Sequence, residues 1–140
     1  GVFQTRGATA LVFRGDDGLD ELTTTGHSRI WEVSRGDIHE HDLDPRDLGI
    51  PRAVIADLKG GNPAQNAEVV HRVLAGEKGP IRDIVLLNAA AGLVSYRLSH
   101  DAGQVQRPIV ERLAEERELA DSGAARDLLA RWGEVSRELS

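Results

Sequence analysis

An apolar run that stops at a glycine-rich cluster of carboxylates limits what this chain can fold into. Ala8 to Phe13 is apolar apart from Thr9. Arg14-Gly15-Asp16-Asp17-Gly18-Leu19-Asp20-Glu21-Leu22 follows at once, with four carboxylates inside six residues. Carboxylates this close repel one another unless water or a cation compensates them. The apolar run reads as a buried strand, and the loop behind it as one delivered to a ligand crevice. In open α/β sheets such a crevice lies at the carboxyl ends of the strands. Oxygen-only ligands suit a hard cation such as Mg²⁺, which takes one or two carboxylates and completes its shell with water and substrate phosphates. Asp20 and Glu21 are the better ligand candidates, because they adjoin the hydroxyls of Thr23 to Thr25. Asp16 and Asp17 are expected to shape the turn. The other reading is a solvated turn whose aspartates satisfy local backbone donors. Composition alone leaves both open.

The chain has 140 residues, enough for one domain with its own core. Its net charge of −6 argues against a general affinity for nucleic acid or anionic membrane. The absence of cysteine excludes a disulfide framework and a thiolate metal site. No apolar run approaches a membrane span and no signal peptide is visible, so a cytoplasmic location is the default expectation. The chain lacks methionine and begins Gly1-Val2-Phe3-Gln4. The simplest expectation is a piece of a longer protein, with a missing N-terminal portion.

Taken in order, Gly1 to Arg6 reads as the end of a helix stopped by Gly7. Ser28 to Val33 and Asp37 to Leu43 alternate in polarity around Ser34-Arg35-Gly36, as a half-exposed hairpin at a sheet edge does. Asp44-Pro45 starts a short helical turn, and Gly49-Ile50-Pro51 ends it. Asn62, Pro63 and Gln65 form a helix start with a capping box. Ala67, Val69, Val70, Val73 and Leu74 then make an apolar stripe, and Gly76 stops the helix. Ile81 to Val94 reads as a buried helix after Gly79-Pro80, with Ser99 to Gly103 as a loop. Gln104 to Ser122 reads as a charged amphipathic helix, and Ala125, Leu128, Leu129, Trp132, Val135 and Leu139 trace a last one. The expected architecture is α/β: a portion of a mainly parallel sheet with an edge hairpin, packed by several helices.

Other candidates are weaker. His39 and His41 lie two apart, so a strand would turn both to one side as a potential metal pair, but no third ligand stands at a familiar spacing. His27, His71 and His100 look isolated. Lys59-Gly60-Gly61-Asn62 enters a helix whose N-terminus attracts anions, yet the P-loop pattern is absent and capping is favoured. Asn88, in an apolar helix, needs hydrogen-bond partners and is expected to have a structural one. No nucleophile with a neighbouring base stands out, so no covalent catalysis is expected from this chain by itself.

Several segments carry a resemblance when taken together and in order: Gly15 to Gly26, Ile30-Trp31-Glu32-Val33, Leu58 to Asn62 with Asn66-Ala67, Asp83 to Ala90, and Asp121 to Ala125. The set resembles the C-terminal part of anthranilate phosphoribosyltransferase over almost the whole chain. The resemblance implies transfer of a phosphoribosyl group from phosphoribosyl pyrophosphate (PRPP) to the amine of anthranilate in tryptophan biosynthesis. It implies residues 1–140 as part of the larger α/β domain of an enzyme that also has a small helical domain and forms a homodimer. It also implies that Asp20 and Glu21 bind Mg²⁺ associated with the donor's pyrophosphate.

The departures are as informative. The family's Gly-Thr-Gly-Gly-Asp loop, which grips pyrophosphate, is absent, as are its Lys-His-Gly-Asn segment and the helical domain. The portion alone is therefore expected to be inactive. The competing expectations are a non-catalytic domain with a structural or subunit-association role, and a fragment of a related nucleoside phosphorylase.

Overall fold

The computed structural model describes residues 1–121 and 131. Its elements are α1 (Val2–Thr5), β1 (Ala10–Gly15), β2 (Ser28–Ser34), β3 (Asp37–Leu43), α2 (Pro63–Leu74), α3 (Pro80–His100) and α4 (Ile109–Ala120), with short 3-10 turns at Pro45–Leu48, Ile55–Leu58 and Ala102–Gln106. The expected last helix, with Trp132, lies outside the described residues.

The three strands form one sheet in the order β1-β2-β3, and both pairings are antiparallel. The fold is thus α/β as expected, but these strands do not form a mainly parallel sheet. The reason is topological. Parallel neighbours need a long crossover, usually a helix, whereas β1 returns to β2 through a loop with no helix in it. Nor is β1 fully buried: among the described residues it has a neighbouring strand on one side only, and Val12 is exposed while Leu11 and Phe13 are half-buried. The central strand is β2.

The β2–β3 hairpin agrees with the alternation in its sequence. Ser34 pairs with Asp37 around a two-residue connection, in which Arg35 and Gly36 both adopt positive φ, 50° and 85°. Those angles match the right-handed twist of the flanking strands.

One face of the sheet meets α3 and α4. Ile30 and Leu43 pack with Leu22, Ile50, Leu87, Ala90, Ala91, Val94, Ile109 and Leu113, and Leu11 and Phe13 close the β1 side. Fully buried Ala90 and nearly buried Ala91 project little from α3, so its backbone can lie close to the strands. This helix runs through His100, beyond its expected end. The expected helix from Gln104 is divided: a 3-10 turn precedes Pro108, which caps α4. A proline cannot continue the hydrogen-bond ladder, so the break falls there.

A buried ion pair fastens the sheet to α4. Glu32, fully buried on β2, accepts from Arg112 Nη1 at 2.6 Å and Nη2 at 2.9 Å. His41 Nε2 lies 3.1 Å from the same carboxylate. Burial works against the charged glutamate, but the Arg112 hydrogen bonds and charge, helped by His41, outweigh it and hold Glu32 below the usual range.

By contrast, α2 is well started and poorly packed. Asn62 Oδ1 accepts from the Gln65 N–H at 3.0 Å, and Gln65 Oε1 accepts from the Asn62 N–H at 2.9 Å. Yet no residue of α2 is buried. The apolar stripe does not face the core: Val69, Val73 and Leu74 are half-buried, and Ala67 and Val70 are exposed.

Removing one partner of the Glu32–Arg112 pair strands a buried charge, so Arg112→Ala is expected to lower unfolding stability by about 3–5 kcal/mol in urea denaturation at neutral pH. A carboxyl held below its unfolded value of 4.5 stabilises the fold fully above that pH. The contribution disappears as pH falls through the lowered folded value. Denaturation midpoints of wild type and Arg112→Ala should therefore converge in acid.

Candidate metal site

The loop from β1 to β2 is tied to itself before it is tied to anything else. Gly18, at φ 88°, turns the chain. Its N–H donates to the Gly15 carbonyl at 3.0 Å, and the Gly15 N–H donates to the Leu19 carbonyl at 3.1 Å. Asp17 is the hub. Its Oδ1 accepts from the Leu19 N–H at 3.1 Å. Its Oδ2 accepts from the Thr23 hydroxyl at 2.5 Å and the Thr25 hydroxyl at 2.9 Å. Burial raises the cost of ionising Asp17, but the Thr23 hydroxyl, the Leu19 N–H and the Thr25 hydroxyl prevail and hold its carboxyl below the usual range. Glycine is needed at position 15, because an added Cβ would stand 2.5 Å from Asp17 Oδ1 and 3.0 Å from the Thr23 side chain.

A second anchor comes from α3. The Asn88 side chain accepts from the Leu22 N–H at 2.9 Å and donates to the Leu22 carbonyl at 2.9 Å. It also donates to the Ile84 carbonyl one turn back, at 3.0 Å. The amide expected to be structural is therefore the contact between the core helix and the acidic loop. Leu22, Thr23 and Thr24 beside it are fully buried.

Asp20 and Glu21 lie between these anchors, Asp20 exposed and Glu21 half-buried. The side-chain hydrogen bonds of the loop go to Asp17, Leu22, Thr23 and Thr25, and neither Asp20 nor Glu21 has a carboxylate partner among the described residues. Two uncommitted neighbouring carboxylates fit a hard cation that leaves most of its positions to water and phosphate oxygens. Among the described residues, no group of three or more His, Cys, Asp or Glu side chains converges as a closed metal cage. An open depression of about 450 Å³ lies at the root of the loop, lined by Arg14, Gly15, Asp16, Arg29 and Trp31. Asp20 and Glu21 do not line it.

The other candidates separate. His41 is engaged by Glu32, and His39 is exposed, so they do not act as a metal pair. His27 is not isolated. Its Nδ1 lies 2.7 Å from Asp42 Oδ1 and its Nε2 3.4 Å from Asp44 Oδ2. Asp44 Oδ2 also pairs with Arg46 at 2.6 Å and Arg52 at 3.1 Å, and these arginines keep the Asp44 carboxyl far below its ordinary range. Sequence reasoning missed this charged cluster. Its only local signal was the Asp44-Pro45 turn start, because its members come from separate segments. At Lys59 to Asn62, capping is what the structure contains: Asn66 Oδ1 accepts from the Gly61 N–H at 2.8 Å, and Asn66 Nδ2 donates to the Gly61 carbonyl at 3.2 Å.

These elements define an α/β unit with helices on one sheet face and an acidic loop at a strand end. The profile of the glycosyl transferase family, a/b domain, matches residues 2–126, and the chain belongs to that family. It is similar to the anthranilate phosphoribosyltransferase of Leifsonia xyli subsp. xyli, 64% identical over 98% of this chain and 40% of the relative. That of Clavibacter michiganensis subsp. michiganensis is 61% identical, again over 98% and 40%. The chain thus spans about two fifths of the length of these relatives. The crystal structure of anthranilate phosphoribosyltransferase from Thermus thermophilus superimposes with a TM-score of 0.70 at 39% identity, covering 92% of this chain and 36% of that one. The Saccharomyces cerevisiae enzyme, solved in complex with PRPP and Mg, shares the fold at TM-score 0.61 and 20% identity, over 82% of this chain and 32% of that one. Among the described residues, no helix is long and apolar enough to cross a membrane.

Replacing Asn88 by Leu keeps the volume but leaves the Leu22 N–H and carbonyl unpaired. Each unmet group costs about 1–3 kcal/mol. A thermal melt of Asn88→Leu should show a clearly lowered midpoint, and hydrogen exchange at Leu22 should speed up.

Proposed function

We propose that residues 1–140 are the C-terminal part of the α/β domain of an anthranilate phosphoribosyltransferase, and that Asp20 and Glu21 supply its Mg²⁺ ligands. The complete protein would transfer phosphoribosyl from PRPP to anthranilate in tryptophan biosynthesis. The observation that carries the reading is the pair of uncommitted carboxylates on a loop anchored from both ends. The family match and the similarity to named anthranilate phosphoribosyltransferases support it.

The chemistry gives such a pair a defined task. Breaking the bond to pyrophosphate places further negative charge on an already charged leaving group, while the anomeric carbon becomes oxocarbenium-like. A bound divalent ion supplies charge neutralisation at the departing oxygens. Asp20 and Glu21 act as anionic oxygen ligands, and the turn that carries them decides where they point. A turn already closed by its own hydrogen bonds needs little reorganisation when the ligand arrives, which is the condition for electrostatic preorganisation.

The Gly-Thr-Gly-Gly-Asp and Lys-His-Gly-Asn segments expected of such an enzyme are not in this sequence. This chain alone should therefore leave anthranilate fluorescence unchanged with PRPP and Mg²⁺. In the complete protein, Asp20→Asn and Glu21→Gln should each reduce kcat/KM for PRPP by about 100-fold or more, the order of loss when a preorganised electrostatic contact is removed. Activity of both variants within a few-fold of wild type would defeat the assignment.

A further inference from the structure

We propose that Asp17 is a positioning residue: by gathering the loop from Leu19 to Thr25 onto one carboxylate, it sets where Asp20 and Glu21 point toward a divalent ion. The inference rests on the assignment of those two residues as the ion's ligands. It adds a third acidic residue with a different task.

The geometry separates the tasks. Asp17 spends both oxygens inside the loop, one on the Leu19 N–H and the other on the hydroxyls of Thr23 and Thr25. Those three donors lie on both sides of Asp20 and Glu21 in sequence. Holding them on a single carboxylate closes the intervening chain into a ring and leaves the two ligand candidates on the span between. The ring is further cross-bonded where it touches Asp17. The Thr25 N–H donates to Thr23 Oγ1 at 3.0 Å, and the two hydroxyl oxygens lie 3.0 Å apart. The Thr23 N–H is held by Ser28 Oγ at 2.9 Å, which joins the ring to the start of β2. Gly15 packs against the hub with no room for a side chain. A carboxylate with its oxygens committed in this way is poorly placed to be a ligand itself. Outer groups that orient metal ligands typically contribute about 10–100-fold to metal affinity.

The test uses the complete protein, with Mn²⁺ in the presence of inorganic pyrophosphate as the probe, followed by electron paramagnetic resonance. Asp17→Ala is expected to weaken Mn²⁺ binding by about 10–100-fold, read at a temperature well below its own thermal midpoint, which the loss of three hydrogen bonds lowers. Asp17→Asn should recover most of the affinity. Its amide is isosteric, its oxygen can still accept from the Leu19 N–H, and the threonine hydroxyls can rotate to accept from its NH₂. Asp20→Ala serves as the reference for the ligand assignment. Unchanged Mn²⁺ binding in Asp17→Ala, beside weakened binding in Asp20→Ala, would overturn the positioning role and leave the ligand assignment standing. Equal losses in Asp17→Asn and Asp17→Ala would also overturn it, because the charge itself would then be what the ion requires. Unchanged binding in Asp20→Ala would overturn both.

Discussion

The side-chain amide of Asn88 does for Leu22 what a neighbouring strand would do, accepting from its N–H and donating to its carbonyl. The loop that carries Asp20 and Glu21 has no helix or strand of its own, and its internal turn bonds between Gly15 and Leu19 leave the backbone of Leu22 to find partners elsewhere. One residue on a buried helix supplies two of them at a single point. Leu22 can then enter the core as a fully buried side chain, and the chain on either side of it is committed to one path. Without this contact, apolar packing alone would join the strand end and the loop to α3. With it, the position of the acidic residues follows from the packing of the helix.

Much of this was legible in the sequence, for local reasons. The β2–β3 hairpin is written in period-two alternation around a turn containing glycine. The start of α2 is written in Asn62, Pro63 and Gln65, and the structure closes that capping box. The acidic loop could be read as a loop because glycine and aspartate have few other uses at that density. The need of Asn88 for partners was legible too, since a buried amide cannot go unpaired. What was hidden was the partner itself, 66 residues away.

The rest was illegible because it depends on distant pairings. An apolar run announces a strand but not the direction of its neighbour, and β1 is antiparallel and at an edge. Nothing local in the β2–β3 hairpin marks Glu32 as a buried charge. Its chief partner is Arg112, 80 residues on, with His41 across the hairpin helping. The α2 stripe shows the reverse failure. Helical periodicity says that a face is apolar but not what covers it, and here no residue of that helix is buried.

The sheet itself has a consequence beyond the site. In the described sheet, β1 and β3 each lack a neighbour on their outer side, so two rows of backbone groups stand ready to template another strand. On β3 the row runs past Asp37, His39, Glu40, His41 and Asp42, whose charge and hydration discourage partners. On β1 it runs past Leu11, Val12 and Phe13, and only Arg14 adds a charge among that strand's residues. Among the described residues, the margin beside the acidic loop is therefore guarded by far less charge than the opposite one.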